Sequence, residues 1–240
     1  MKKPYFKIIA AVIGILVLFI SCYSHPRIKG NGVMVISERP VSAFEKIQVS
    51  GSAVVNYHAS QEYRAVVTVD SNLEEYTRVY TEGNVLKIGT KNGKSYSFTN
   101  YTVDVYCSIL SAVSSSGSVR FNGIDKMIAS TFTLRISGSG DIESYIECNK
   151  FDADISGSGD IAVSGSANEM SVTISGSVTF SGKEFQAGNA NITVSGSGRM
   201  QIWVLDYLKA KVSGSGRITY RGNPKIEYTG YGSGRLISGT

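Results

Sequence analysis

The chain has 240 residues, a formal charge of +5, 26 glycines, four prolines and one tryptophan. With abundant serine, valine and isoleucine, this composition favours short strands and tight turns over helices. Lys2, Lys3 and Lys7 belong to the amino-terminal leader; the remainder keeps 21 basic against 19 acidic residues, a balance that excludes a nucleic-acid footprint built on overall charge.

The leader comes first in the chain. Its three lysines precede an apolar run from Ile8 to Ile20 that stops at Ser21–Cys22. Thirteen residues are too few for the roughly 20 of a membrane-crossing helix, so residues 1–21 read as a secretory signal. The tripeptide "ISC" resembles the lipobox of bacterial lipoproteins, whose cysteine thiol receives diacylglycerol, with Phe19 standing where leucine is usual. The expectation is therefore a lipid anchor at Cys22, a tether over 22–29, and one folded domain over 30–240 secreted across the inner membrane and held in the cell envelope. The expected envelope site is the outer membrane of a Gram-negative bacterium.

Residues 30–110 read as an amino-terminal β section. Apolar runs such as Ala65–Val69 and Val85–Ile88 alternate with the turn signals "EGN" and "KNGK". This section is expected to lead into or cap the remainder of the domain, whose first strands would otherwise offer a free edge. Within it, "VSGSAV" at Val49–Val54 looks like an early copy of a turn that recurs later.

Residues 111–240 are a repeat. The heptapeptide "ISGSGDI" stands at Ile136–Ile142 and again at Ile155–Ile161. Aligning the residue before each glycine gives Ser116, Ser137, Ser156, Ser175, Ser195, Ser213 and Tyr231, at spacings of 21, 19, 19, 20, 18 and 18. Before each turn, apolar and polar residues alternate. One apolar column runs Phe132, Phe151, Met170, Ala190, Leu208, Ile226; another follows the turn as Ile142, Ile161, Phe180, Met200, Ile218, Leu236. Copies this short cannot bury an apolar face alone, and stacking them about 4.8 Å apart makes a continuous column.

The fold expected is thus all-β, a parallel β-helix (a solenoid) of 18–20 residues per rung. A leucine-rich repeat would need a leucine-asparagine consensus that the chain lacks, and an antiparallel sandwich would not explain identical turns in every copy. The glycines at the corners, Gly138, Gly140, Gly157, Gly159, Gly176, Gly196, Gly198, Gly214, Gly216, Gly232 and Gly234, are expected to adopt backbone conformations that glycine alone takes without steric cost.

Several chemistries are weighed against this corner reading. The GxG pattern of "GSGDI" lacks a third glycine, a following helix and a Walker lysine, so no nucleotide is expected. Asp141 and Asp160 would stack in adjacent copies, but Arg120, Arg199, Arg217 and Arg235 occupy the same column, which reads as a solvent-facing charge ladder and not a calcium site. For catalysis the only acidic cluster is Asp152 and Asp154, near Asp141 and Asp160; no serine is marked by a base, and the two histidines are His25 in the tether and His58 at a strand end. Cys107 and Cys148 lie about two rungs apart, roughly 9.6 Å in a stack, beyond the roughly 7 Å reach of a disulfide. Alternation points Trp203 outward near Arg199 and Arg217, a contact surface for a glycan or a surface protein.

In this order, "GNG" at Gly30–Gly32, "ERPVSAF" at Glu38–Phe44, "IQVSGSAVV" at Ile47–Val55 and the later SGSGD and SGSGR turns resemble the family named "Putative auto-transporter adhesin, head GIN domain". The resemblance implies a right-handed β-helix on an envelope or secreted protein of Gram-negative bacteria, and it supplies no catalytic residues. Two turns depart from the pattern, reading "SGSV" at Ser116–Val119 and Ser175–Val178. No auto-transporter barrel is read in the chain, so display would come through Cys22. The function expected is a non-enzymatic adhesin-type envelope lipoprotein without a cofactor. A polysaccharide-cleaving enzyme using Asp152 and Asp154, and a purely structural envelope protein, are the alternatives.

Overall fold

The computed structural model describes residues 27–239, so the expected signal, Cys22 and His25 lie outside the described residues. Apart from one 3-10 turn at Glu74–Tyr76, its regular structure is entirely β. A mixed sheet of 12 strands carries the core, and a two-stranded parallel sheet lies beside it. That small sheet joins β1 (Arg27–Lys29) to β7 (Ser95–Ser97). Arg27–Lys29, expected within a tether, is therefore a paired strand, with Ile28 packed against the core.

The main sheet changes character along its length. At the amino-terminal end, β2 (Met34–Arg39) pairs antiparallel with β4 (Arg64–Asp70), and β4 pairs antiparallel with β8 (Tyr101–Cys107). Likewise β5 (Thr77–Glu82) pairs antiparallel with β6 (Val85–Thr90). From there onward every pairing is parallel. On one side β3 (Lys46–Ala59) takes β6 and β8 as neighbours; on its other side it takes β9 (Ala112–Gly123). Gly51 stands opposite Gly117, so the early "SGS" at Ser50–Ser52 is indeed a copy of the later corner, although 66 residues separate the two.

Beyond β9 the chain runs as extended backbone through β10 (Met127–Gly196), then β11 (Arg199–Gly214), β12 (Arg217–Arg221), β13 (Lys225–Gly232) and β14 (Arg235–Ser238). A straight strand as long as β10 would reach about 230 Å. Instead its successive copies lie against one another at the corners, where a Cβ placed on Gly157 would run into the carbonyl oxygen of Gly138, and one placed on Gly176 into that of Gly157. Successive copies then pair in register: Arg199 with Thr179 and Arg217, Gly214 with Gly196 and Gly232.

The alternation read from the sequence sets the faces. Phe132, Phe151, Met170, Ala190 and Leu208 are all buried, as are Ile142, Ile161, Phe180, Met200 and Ile218. Phe132 and Phe151 stack at 6.2 Å between ring centroids, and Phe185 meets Phe151 at 5.1 Å, a geometry favourable beyond simple burial. The last copy is the exception: all eight residues of β13 are exposed, including Ile226, because no later strand covers them among the described residues.

Two corner positions play different parts. Gly138, Gly157, Gly176, Gly196, Gly214 and Gly232 have positive φ, and Gly159 joins them. By contrast Gly140, Gly198, Gly216 and Gly234 do not, which corrects the single conformational role expected for all eleven. Their lack of a side chain leaves room for inward methyl groups: a Cβ on Gly140 would meet Ile136 Cγ2 at 2.9 Å. In the same position stand Val119 and Val178, both buried, so the "SGSV" turns are corners whose last residue adds to the core.

Candidate interaction surface

Alternation that buries one set of side chains exposes the other, and either side of each corner carries an exposed column. On the carboxyl side, register places Arg120 opposite Asp141, and Arg199, Arg217 and Arg235 in one row. Arg120 reaches Asp141 at 3.3 Å across an exposed surface. None of the other three arginines makes an ion pair among the described residues. Like charges directly opposite one another destabilise a sheet. At about 5 Å in water each adjacent pair repels by about 0.8 kcal/mol before screening.

Trp203 lies on this side too, in register with Gln186 and Arg221. Its ring is half-buried, with the Arg221 guanidinium 4.2 Å from the centroid. Its neighbour is thus Arg221; Arg199 and Arg217 sit four residues away along their strands, about 13 Å. The indole supports Arg221 by a cation–π contact and is not a bare platform for a ligand.

On the amino side of the corner, Arg135 stands one copy before Asp152 and Asp154 and contacts both, at 3.9 and 3.5 Å. Asp152 and Asp154, expected as an acidic cluster, thus share Arg135, whereas of their expected neighbours Asp141 answers Arg120 on the other side of the corner and Asp160 makes no ion pair among the described residues. Among the described residues no three His, Cys, Asp or Glu side chains gather closely enough to hold a metal ion. His58 lies 3.4 Å from Asp104 and stacks on Tyr106 at 4.7 Å. Cys107 and Cys148 are free thiols, and burial pushes them up to about 12 and about 11, which leaves both protonated and unreactive.

Two features escaped the sequence reading. Asp70 is fully buried and accepts N–H bonds from Gly32 at 2.8 Å, Thr99 at 2.8 Å and Asn100 at 3.4 Å. Burial raises its pKa, the backbone donors lower it more, and the balance lies below the usual carboxylate value. It clasps the amino-terminal turn to the loop after β7, and Gly30 leaves room for its carboxylate. The second feature is a groove of about 480 Å³ between that loop and the corner column, lined by Tyr96, Phe98, Tyr101, Ser118, Arg120 and Asp141 among others. Its aromatic rings form a chain, 6.0 Å from Tyr96 to Phe98 and 4.9 Å from Phe98 to Tyr101. The density of aromatics in "SYSFTNY" was its only sequence signal.

An all-β repeat protein with a filled interior and open, charged lateral columns is the class these features define. Residues 43–224 match the family model described as "Putative auto-transporter adhesin, head GIN domain", and the chain belongs to that family. No curated protein matches the sequence. Among solved structures, a "putative lipid binding protein" from Parabacteroides distasonis ATCC 8503 is similar at 26% identity and a TM-score of 0.75, with 90% of this chain and 100% of that chain covered. A "putative adhesin" from Bacteroides fragilis NCTC 9343 shares the fold at 16% identity and a TM-score of 0.77, covering 88% and 97%. One from Parabacteroides merdae ATCC 43184 does so at 22% and 0.71, covering 89% and 99%.

Proposed function

We propose that this protein is a non-enzymatic, adhesin-type module of the cell envelope: a right-handed parallel β-helix, lipid-anchored through Cys22, that offers its lateral columns to a partner. The observation that carries the reading is the family membership of a chain whose in-register charges stand on open faces. Parallel pairing at offsets of 18 to 21 residues supports the helical winding. The lipid-binding name of the P. distasonis relative favours a different ligand. An acyl chain would need interior space, however, and Phe132, Phe151, Phe180 and Phe185 fill the interior here. The enzyme reading loses support because Arg135 engages both Asp152 and Asp154 on an exposed face.

Two measurements test the proposal. Mass spectrometry of the mature protein is expected to find diacylglycerol on Cys22, and Cys22→Ser should release the protein from the membrane fraction; an unmodified cysteine overturns the anchor. Separately, the full chain in detergent is applied to an array of bacterial and host glycans and matrix proteins. Selective retention of an unshortened ligand is the expected outcome, whereas shortening of a polysaccharide would establish an enzyme.

A further inference from the structure

The near-neutral balance of the whole domain hides a strong segregation along the stack. From Asp141 to Glu184 the sequence holds eight acidic and two basic residues; from Arg199 to Gly239 it holds seven basic and two acidic. Several of the acids in the first stretch are answered by arginines from neighbouring copies. In the second stretch Lys209 is answered by Glu227 at 2.6 Å, and Arg221 rests on Trp203, which leaves its charge intact. Lys211 and Lys225 are exposed and make no ion pair among the described residues, and Arg199, Arg217 and Arg235 are exposed and stand in register in one row.

We propose that these last copies are a docking strip for a linear anionic polysaccharide bearing carboxylate or sulfate groups. The proposal rests on the adhesin-type reading and gives it a ligand class. Three guanidinium groups repeat at the rung spacing of about 4.8 Å on a straight, rigid line. Each is preceded two residues earlier by an exposed corner serine, Ser197, Ser215 or Ser233, with Ser215 and Ser233 hydroxyls 3.3 Å apart. Every rung thus presents a planar, permanently charged fork and a hydroxyl, a combination suited to one oxyanion. An extended polymer lying along the axis would bring successive oxyanions to successive rungs and relieve the repulsion among the arginines.

Nucleic acid fits less well. Duplex phosphates follow a helical path at about 3.4 Å of rise per strand, so a straight ladder meets few of them. Single strands are held chiefly on free aromatic faces, and the Trp203 ring is occupied by Arg221.

The test measures retention of the full-length protein on immobilised polygalacturonate, heparin, uncharged dextran, duplex DNA and phosphatidylglycerol vesicles. Polygalacturonate or heparin should retain it and dextran should not, the two anionic glycans separating carboxylate from sulfate recognition. Three contacts predict a loss of about twenty- to fortyfold between about 50 and 200 mM salt. R199Q/R217Q/R235Q should weaken glycan binding about tenfold or more while melting no earlier than the parent, since it removes repulsion and no contact. R78Q/K91Q/K94Q removes the same charge from the amino-terminal section and should bind as the parent does. Equal losses in both triple variants, tighter binding to DNA, vesicle binding that R199Q/R217Q/R235Q abolishes, or low-salt self-association without polymer binding would each overturn the proposal. If the array retains a different ligand that R199Q/R217Q/R235Q still binds, the docking strip falls and the adhesin reading stands; retention of nothing fells both.

Discussion

The amino-terminal section and the stacked copies solve the same problem, terminating or extending a sheet, by different physics. In the stack, each corner glycine with positive φ lies against the backbone of the copy before it, so the geometry of one copy dictates that of the next. At the other end, antiparallel strands β2, β4 and β5 close the sheet, and the buried carboxylate of Asp70 ties the turn before β2 to the loop before β8. Gly51 belongs to the same column as Gly117, yet a Cβ on it would meet nothing within 4 Å. Repetition alone does not make a glycine indispensable; a neighbour on the preceding side does.

The sharpest way to break this comparison is a matched pair of substitutions. Gly157→Ala drives a methyl group into the Gly138 carbonyl at a positive φ and should cost more than about 3 kcal/mol in urea unfolding. Gly51→Ala suffers the unfavourable φ without the collision and should cost about 1 kcal/mol. Equal costs would mean that backbone conformation, and not close approach, is what the corner requires.

Asp70→Asn probes the other region. Replacing a carboxylate that accepts several backbone N–H bonds should cost about 2 kcal/mol at neutral pH. The folded pKa lies below the unfolded one, so the contribution is complete above about pH 5 and is lost as pH falls through the lowered value. Unfolding midpoints of parent and variant should therefore converge in acid. A constant gap down to pH 2 would show that packing, and not charge, makes the difference.

The smallest effect runs the other way. Ser144 projects an unpaired hydroxyl into the core between Ile142 and Ile146, so Ser144→Ala should raise stability by about 0.5 kcal/mol. A loss on calorimetry would reveal a partner for that hydroxyl.

Much of this was legible in residue order. Period-2 alternation around a recurring turn announced which side chains face inward, because alternation in a strand is imposed by local backbone geometry. The same pattern made the corner copies at Ser137, Ser156 and Ser213 evident, and even the outlying one at Ser50. Both valines in the "SGSV" turns looked like lapses, since no local rule tells an inward corner position from an outward one. Neither the Arg135 bridge to Asp152 and Asp154 nor the Arg221 cover on Trp203 could be read, because each joins residues 17 to 19 positions apart whose meeting depends on the register between copies.

By itself, then, the sequence determined the all-β class, the repeat, the inward columns and the unpaired state of Cys107 and Cys148, all consequences of local periodicity and spacing. Only the tertiary structure decided that Arg199, Arg217 and Arg235 stand unanswered while Asp141, Glu147, Asp152 and Asp154 of the middle copies are paired. It also decided that the long insertion between Gly51 and Gly117 folds back as an antiparallel cap around Asp70. Charge pairing and capping arise between segments distant in sequence, and their partners are chosen by stacking register, which no single copy contains.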